Sequence, residues 1–328
     1  MKHQTTAGKT DRTARKGRVI VITGASSGIG RATARAFASR GDRLVLAARN
    51  ERSLQVVVEE CTARGGEAIA VRTDVSDEEQ VLALARAAVN AYGRIDAWVG
   101  AASVMSFGTF EQTPSAIFTQ VIETNLMGQV HGARAALRQF RRQGAGTLIM
   151  VGSLYSEVGS PYISPYVTSK FATLGLAEVL RQELRRSRAI HVVAVLPASI
   201  DTPIYQHAAN YTGRHVHPLV PISAPERVAK AIVRSLGHRR PVVVVGRTQR
   251  IATALHGIAP GLYDRLTSLA QESLALRGRG APRSSGTVLT PGTDDGGVTG
   301  GWRSTPLRVL GVGAVAGAGA LYLRRRLS

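Results

Sequence analysis

Residues 18–30 read RVIVITGASSGIG, an apolar β-branched run that passes directly into a glycine-rich turn. The run is typical of a buried strand, and glycines at 24, 28 and 30 permit a tight turn with an exposed backbone. A helix starting there would present free amides and a partial positive charge to a pyrophosphate. Taken alone, the stretch could also be a simple tight turn. The candidate phosphate-contacting residues are Thr23, Gly24, Ser26, Ser27, Gly28, Ile29 and Gly30.

The alternation of apolar runs and helical stretches continues to about residue 200. Further strands are predicted at residues 43–48, 68–72, 95–99, 146–151 and 190–196, and a seventh at 241–246. Continuous apolar strands separated by helices are typical of a parallel sheet that is covered on both faces. We therefore predict an α/β fold, a doubly wound Rossmann-type parallel sheet of about seven strands with helices on both faces.

The end of the second predicted strand favours one dinucleotide over another. An acidic side chain there would bind the adenosine ribose hydroxyls and repel a 2′-phosphate. The sequence instead has Ala48 followed by Arg49, whose guanidinium can form paired hydrogen bonds to a phosphate. Alternatively, Arg49 is an ordinary surface arginine that follows a strand. The pattern favours NADP(H) over NAD(H).

Tyr166 and Lys170 are four residues apart, so they share one face of a predicted helix. Tyrosine has an unperturbed pKa of about 10, and a neighbouring ammonium would lower it toward the range of useful acid–base catalysis. Amphipathic helices often contain such a pair by chance. Ser153 ends the fifth predicted strand, where doubly wound sheets place ligand-contacting residues, and Asn125 lies in a helical stretch before that strand.

The phosphate loop with the spacing Gly-x-x-x-Gly-x-Gly resembles that of the classical short-chain dehydrogenase/reductase (SDR) family. Asn125, Ser153, Tyr166 and Lys170 follow in the family's order and approximate spacing, and the resemblance extends from about residue 18 to 245. It implies an NADP(H)-dependent oxidoreductase that interconverts a carbonyl and an alcohol, acting on CH–OH groups of a small molecule. An alternative on the same fold is a catalytically weak NADP-binding sensor or scaffold.

The resemblance also implies individual roles. Tyr166 would be the proton donor or acceptor, Ser153 would bind the substrate oxygen, and Lys170 would also contact the nicotinamide ribose. Asn125 would hold a water that connects Lys170 to solvent. Asp74 and Val75 would contact the adenine, and Thr202 would contact the cofactor near its nicotinamide. From the sequence alone, Asp74 could equally be a turn residue or helix cap, and Thr202 could be a helix cap. Residues 204–222 would shape the substrate pocket.

The chain departs from the family after the fourth strand, where the usual Asn-Asn-Ala-Gly is replaced by Gly100, Ala101, Ala102 and Ser103. Two amide side chains that brace the sheet are therefore missing. Either other contacts replace them, or cofactor affinity is reduced. Ala198 similarly replaces the second glycine of a Pro-Gly pair.

Composition narrows the classes of function for the 328 residues. The single cysteine, Cys61, excludes an internal disulfide, and no metal-ligand spacing occurs among the eight histidines. The net charge is +20, of which residues 1–18 and 303–328 contribute +5 each. Because no nucleic-acid-reading motif accompanies this charge and aromatics form only 5% of the chain, nucleic-acid binding is disfavoured.

The expected organisation is a basic tail (1–17), a catalytic domain with a C-terminal extension (18–276), a flexible linker (277–306) and an apolar segment with a basic end (307–328). As a helix, the apolar run 309–323 would span about 22 Å, short of the roughly 30 Å membrane core. Membrane contact through this segment and packing on the body both stay open. We expect a cytoplasmic catalytic domain that the C-terminus could tether to a membrane. The extension resembles that of membrane-associated family members and suggests a lipophilic substrate, and the family resemblance implies a homo-oligomer.

Overall fold

The structure is a computed structural model that describes residues 17–236, 240–246, 248–293 and 295–303. Its centre is a parallel sheet of seven strands in the order β7-β6-β5-β4-β1-β2-β3. The strands are β1 Val19–Thr23, β2 Arg43–Ala48, β3 Glu67–Arg72, β4 Ala97–Gly100, β5 Gly146–Val151, β6 Ile190–Pro197 and β7 Val242–Val245.

Helices connect the strands and cover both faces of the sheet. They are α1 Gly28–Ala38, α2 Glu51–Thr62, α3 Glu78–Tyr92, α4 Ser115–Ile122, α5 Gly128–Gln143, α6 Ser164–Glu183, α7 Pro225–Ser235, α8 Thr248–Ile258 and α9 Pro260–Ala270. This arrangement confirms the predicted α/β fold with a doubly wound parallel sheet.

The strands are apolar throughout because successive side chains enter different cores. Ile20 and Ile22 of β1 pack with apolar residues of α1, α2 and α7, while Val21 packs with residues of α3, α5 and α6. Burial on both faces removes the polar alternation that a half-exposed strand would show. The all-buried β-branched run is therefore the physical origin of the layered fold.

The sheet order reverses direction at β1, whose neighbours are β2 and β4. Such a reversal opens a crevice at the carboxyl ends of the strands, because the connecting helices leave toward opposite faces. Thr23, Ala48, Gly100 and Val151, which end β1, β2, β4 and β5, all lie at this edge. The fold thus brings residues that are distant in sequence to one crevice.

The described residues of the predicted flexible linker, 277–293 and 295–303, form specific contacts with the body of the protein. Leu276–Arg277 pairs with His215–Val216 as a short antiparallel ladder, and Ser284 pairs with Asn210. Residues 287–293 and 295–303 then run along the crevice, and hydrogen bonds to their backbone groups help to hold them there. Because a backbone contact has no residue-type signature, a Gly-, Ser- and Pro-rich composition does not reveal it.

Two predictions concern the ends of the chain. The basic tail, apart from Gly17, and the apolar segment 307–328 lie outside the described residues, so membrane contact through that segment stays a prediction. Within the ranges that the structure describes, no helix combines the length and apolarity needed to cross a membrane.

Candidate active site

One cleft at the carboxyl edge of the sheet gathers most of the residues that the sequence singles out. Its walls include Gly24, Ser26, Ser27, Gly28, Ile29, Gly30, Arg49, Asp74, Val75, Ser153, Tyr166, Lys170 and Thr202. Thr23 and Asn125 are buried beside the cleft. Predicted phosphate-contacting and predicted catalytic residues therefore occupy the two ends of a continuous site.

The glycine-rich turn brings its backbone close to neighbouring chain. Gly24 has a φ of +67°, and a Cβ there would lie 2.7 Å from the backbone of Ala102. A Cβ at Gly30 would overlap the carbonyl oxygen of Gly24. Glycine is required at both positions, and the resulting turn brings the start of α1 into the wall of the cleft.

The turn after β4, where two family amides are missing, is braced by other residues. The Thr23 hydroxyl accepts hydrogen bonds from the amides of Ala101 at 3.2 Å and Ala102 at 3.4 Å. Gln129 of α5 donates to the carbonyl oxygen of Gly100 at 2.9 Å and fills the space where a Gly100 side chain would lie. Sequence reasoning missed Gln129, although it lies one helical turn after Asn125.

Asn125 joins the loop after β4 to helix α6. Its side-chain oxygen accepts from the Val104 amide at 2.8 Å and from the Ser103 hydroxyl at 3.2 Å. Its amide nitrogen donates to the Val104 carbonyl at 2.9 Å and to the Ser169 hydroxyl at 3.1 Å. The residue lies in a π-helical turn, Glu123–Met127, and these four bonds fix the wall of the cleft beside α6. Its relay water stays a prediction.

Tyr166 and Lys170 lie one turn apart near the start of α6, as their spacing predicts. The Lys170 side-chain nitrogen lies 5.4 Å from the centre of the Tyr166 ring and donates to the Val151 carbonyl at 3.0 Å. The Ser153 hydroxyl accepts from the Tyr155 amide at 3.2 Å, and its interaction with the Tyr166 phenol lowers the pKa of that phenol. The three side chains thus converge at the end of β5.

Burial dominates the acid–base properties of this cluster. It raises the pKa of Tyr166 to about 12, against a smaller opposing effect of the hydrogen bond with Ser153. Burial also lowers the pKa of Lys170 to about 8. The pKa of the phenol is thus raised, whereas the sequence predicts that the ammonium would lower it, because desolvation disfavours the charged form of each group. The phenol therefore carries its proton at neutral pH, and burial makes it a weaker acid than an exposed tyrosine.

An aromatic and apolar wall adjoins Tyr166. The Tyr155 ring meets the Tyr166 ring edge to face, with centroids 6.4 Å apart. Ile204, Tyr205 and Met105 line the same end of the cleft. Sequence reasoning missed Tyr155 and Met105, and a run such as Leu154-Tyr155 beside the candidate serine is the signal that could have indicated the former.

At the opposite end, Arg49 follows β2 with its guanidinium in the cleft wall. It donates to the carbonyl oxygens of Thr287 at 2.5 Å and Val288 at 3.2 Å, and burial lowers its pKa while attraction to Asp74 opposes that effect. Asp74 itself accepts from the amide and hydroxyl of Ser76. Arg49 and Asp74, the candidate residues for the adenosine side of the cofactor, therefore form hydrogen bonds within the protein.

Comparison with known proteins gives the family context of this cleft. A family model described as short chain dehydrogenase matches residues 18–211. An uncharacterized oxidoreductase, YxnA of Bacillus subtilis (strain 168), is 39% identical over 254 residues, which cover 76% of this chain and 71% of that protein. Dehydrogenase/reductase SDR family member 7B of Bos taurus is 30% identical over 259 residues, 76% of this chain and 79% of that protein.

Solved structures show the same similarity. A short chain dehydrogenase/reductase from Burkholderia phymatum in complex with NAD has a TM-score of 0.68 and 28% identity, covering 76% of this chain and 96% of that one. An alcohol dehydrogenase from the archaeon Thermococcus sibiricus complexed with 5-hydroxy-NADP has a TM-score of 0.62 and 28% identity, covering 70% and 95%. With the fold and the cleft described above, these similarities show that the chain belongs to the short chain dehydrogenase family and is an NAD(P)-dependent oxidoreductase.

Proposed function

We propose that this chain interconverts a carbonyl and an alcohol with NADP(H), and that Tyr166 donates or accepts the proton. The observation that carries the proposal is the convergence of Ser153, Tyr166 and Lys170 on one end of a cleft. The other end consists of a glycine turn and an arginine, which are groups suited to phosphates. One cleft therefore joins groups suited to phosphates to a tyrosine that would donate or accept the proton.

The residues of the cleft fit a nicotinamide dinucleotide. Gly24 and Gly30 line the cleft and carry no side chains, so the backbone of this turn would lie close to a pyrophosphate. Arg49 would bind the 2′-phosphate of NADP(H), because Ala48 leaves no acid at the end of β2 to repel it. Asp74, Val75 and Thr202 would border the adenine and the nicotinamide. When bound, the nicotinamide supplies or accepts the hydride at the carbonyl carbon.

The protein's own part of the reaction is a proton transfer. Ser153 would hydrogen-bond the substrate oxygen and stabilise the negative charge that develops on it. Tyr166, protonated because its pKa is about 12, would donate its phenolic proton to that oxygen during reduction. Lys170 would stabilise the resulting phenolate through its positive charge. In alcohol oxidation the proton would move in the opposite direction.

The preference for NADP(H) over NAD(H) is argued from Arg49 and not from the structural neighbours. The structural neighbours include one in complex with NAD and others with 5-hydroxy-NADP or NADP. A basic residue at the end of β2 favours the phosphorylated dinucleotide on charge alone, since it removes the repulsion that an acid would exert and adds an attraction.

The cleft end beside Tyr166 supports a lipophilic carbonyl substrate. Met105, Tyr155, Ile204 and Tyr205 form a largely apolar wall there, and an apolar wall gains free energy from burying a hydrocarbon. We therefore propose a ketone or aldehyde whose reacting group is attached to a sizeable apolar body.

The proposal is tested by following NADPH consumption with a panel of aliphatic, aromatic and polycyclic ketones and aldehydes. We expect turnover with the apolar members and weaker turnover with small polar ones. Binding of NADP⁺ without consumption of NADPH by any carbonyl, and without reduction of NADP⁺ by any alcohol, would contradict the proposal and favour the sensor or scaffold.

A further inference from the structure

The chain's last described segment, residues 284–293 and 295–303, crosses the cofactor end of the cleft, and we name it the C-terminal strap. It begins at Ser284, whose amide and carbonyl both pair with Asn210. Thr287 then donates its amide to the carbonyl of His207 at 2.9 Å. Thr287, Pro291, Gly292 and Gly296 form part of the wall of the cleft.

The strap occupies two groups that suit the phosphates of a dinucleotide. The amide of Gly28, in the turn before α1, donates to the carbonyl oxygen of Gly297 at 2.8 Å. The guanidinium of Arg49 donates to the carbonyl oxygens of Thr287 and Val288. In both places a partially negative carbonyl oxygen lies where a phosphate oxygen would bind.

Two buried charged residues hold the strap at positions that flank Gly297. Arg31 of α1, which is 6% exposed, donates to the carbonyl oxygens of Asp295 at 2.9 Å and Gly296 at 3.0 Å. Asp201, 3% exposed, accepts from the amides of Gly300 at 3.0 Å and Trp302 at 2.9 Å. Hydrogen bonds to charged groups are the stronger class, so the strap has a built docking site.

We propose that the C-terminal strap is an autoinhibitory element that competes with the dinucleotide for the Gly28 amide and the Arg49 guanidinium. The proposal rests on the function proposed above. A segment that clamped a bound dinucleotide would offer hydrogen-bond donors to its phosphates. The strap offers acceptors, so it must release the single N–H of Gly28 and the two N–H groups of Arg49 that it engages before phosphates can take these donors.

Competition of this kind weakens the apparent affinity for cofactor. When only a fraction of molecules is competent to bind, the apparent Kd equals the intrinsic Kd divided by that fraction. Any change that loosens the strap without altering the donors therefore tightens cofactor binding. If the strap instead clamped a bound dinucleotide, loosening it would raise the Kd for cofactor. The direction in which the Kd changes therefore distinguishes an autoinhibitory strap from a clamp.

Two neighbouring glycines give a matched pair of variants. Gly296 has a φ of +60°, and a Cβ there would lie 2.7 Å from the carbonyl oxygen of Ser26, so Gly296→Ala strains the docked strap. A Cβ at Gly297 would meet only the Thr299 carbonyl oxygen, at an ordinary 3.4 Å. Calorimetric titration of the full chain with NADP⁺ should give a Kd at least threefold lower for Gly296→Ala, and within twofold of the unsubstituted chain for Gly297→Ala.

A second measurement uses the unsubstituted chain and does not depend on the folding of a variant. Amide hydrogen exchange in peptides covering residues 286–303 should become faster with saturating NADP⁺, because Thr287, Gly300 and Trp302 lose their acceptors when the strap leaves. Unchanged or slower exchange would overturn the proposal, as would an equal or higher Kd in Gly296→Ala.

If the chain and both variants bind neither NADP⁺ nor NAD⁺, the proposed function itself fails. If the unsubstituted chain and both variants bind NADP⁺ with equal Kd, the autoinhibitory role of the strap is overturned and the proposed function is not.

Discussion

The side-chain nitrogen of Lys170 lies 5.4 Å from the centre of the Tyr166 ring, within the range of a cation–π contact. The same nitrogen donates to the Val151 carbonyl at the end of β5. Because both residues lie on α6 and both are buried, water does not screen the ammonium from the phenol. We therefore expect the protonation state of Lys170 to influence how readily Tyr166 can give up its proton.

The pH dependence of carbonyl reduction follows from this pair. Burial lowers the pKa of Lys170 to about 8, so the ammonium is present below about pH 8 and is lost above it. Tyr166 has a pKa of about 12 and keeps its proton throughout. We expect kcat/KM for NADPH-dependent reduction to be level below about pH 7 and to fall above about pH 8, since kcat/KM reports the free enzyme. A profile that declines only above about pH 10, the range of an unperturbed lysine, would contradict this expectation.

Ser153→Ala should impair the chemical step without weakening cofactor binding. Loss of a hydrogen bond that stabilises a developing negative charge lowers kcat by about 10²–10³-fold. Ser153 also accepts a hydrogen bond from the Tyr155 amide, so its substitution could lower activity by disturbing the local structure. A control variant is therefore needed. Ser156→Ala removes the other half of the same local cap, the hydroxyl that accepts from the Ser153 amide at 3.1 Å, and should cost less than about tenfold. Equal losses in both variants would indicate a purely structural role for Ser153.

Arg49→Ala should change the choice of dinucleotide. Hydrogen bonds to charged groups contribute about 1.5–3 kcal/mol, so the Kd for NADP⁺ should rise by about 10–100-fold. The Kd for NAD⁺ should stay constant or fall, because the substitution also removes two hydrogen bonds that hold the strap. Arg40→Ala, at an exposed position after α1, removes the same charge away from the cleft and should alter neither constant. A parallel loss of both affinities in Arg49→Ala would argue against 2′-phosphate recognition.

Gln129→Leu should destabilise the protein. Gln129 is 5% exposed, and its side chain donates to the Gly100 carbonyl at the end of β4. A buried acceptor that loses its partner costs about 1–3 kcal/mol, and urea unfolding should show a loss of this size. Gln55→Leu, at an exposed position of α2, is the matched control and should change the free energy of unfolding by less than about 0.5 kcal/mol. Equal stability of the two variants would show that Gln129 does not compensate for the missing family amides.

The sequence predicts the sheet and the catalytic end of the cleft because both depend on side chains. The β-branched run at Val19–Thr23 is buried on both faces, which is the pattern of a central parallel strand. Tyr166 and Lys170 share a helix face by their four-residue spacing, and Ser153 follows a strand that ends at the same edge.

Side-chain patterns in the sequence do not predict the contacts of the C-terminal strap or of Gln129. Thr287 and Gly297 contact the cleft through carbonyl oxygens, which every residue has, so their composition indicates only a segment with little apolar content. Gln129 differs in no visible way from a solvent-facing helical glutamine until Gly100 is placed beside it. The pKa of Tyr166 likewise depends on burial, which a local spacing does not give.

The claim that Tyr166 is the proton donor is tested most directly by measuring Tyr166→Phe twice, once for NADP⁺ affinity and once for NADPH-dependent turnover of a carbonyl that the unsubstituted chain reduces. Loss of a general acid costs about 10²–10⁴-fold. We therefore predict a Kd within about twofold of the unsubstituted chain and a kcat at least 100-fold lower. A variant that binds NADP⁺ normally and keeps a kcat within about tenfold would contradict the account.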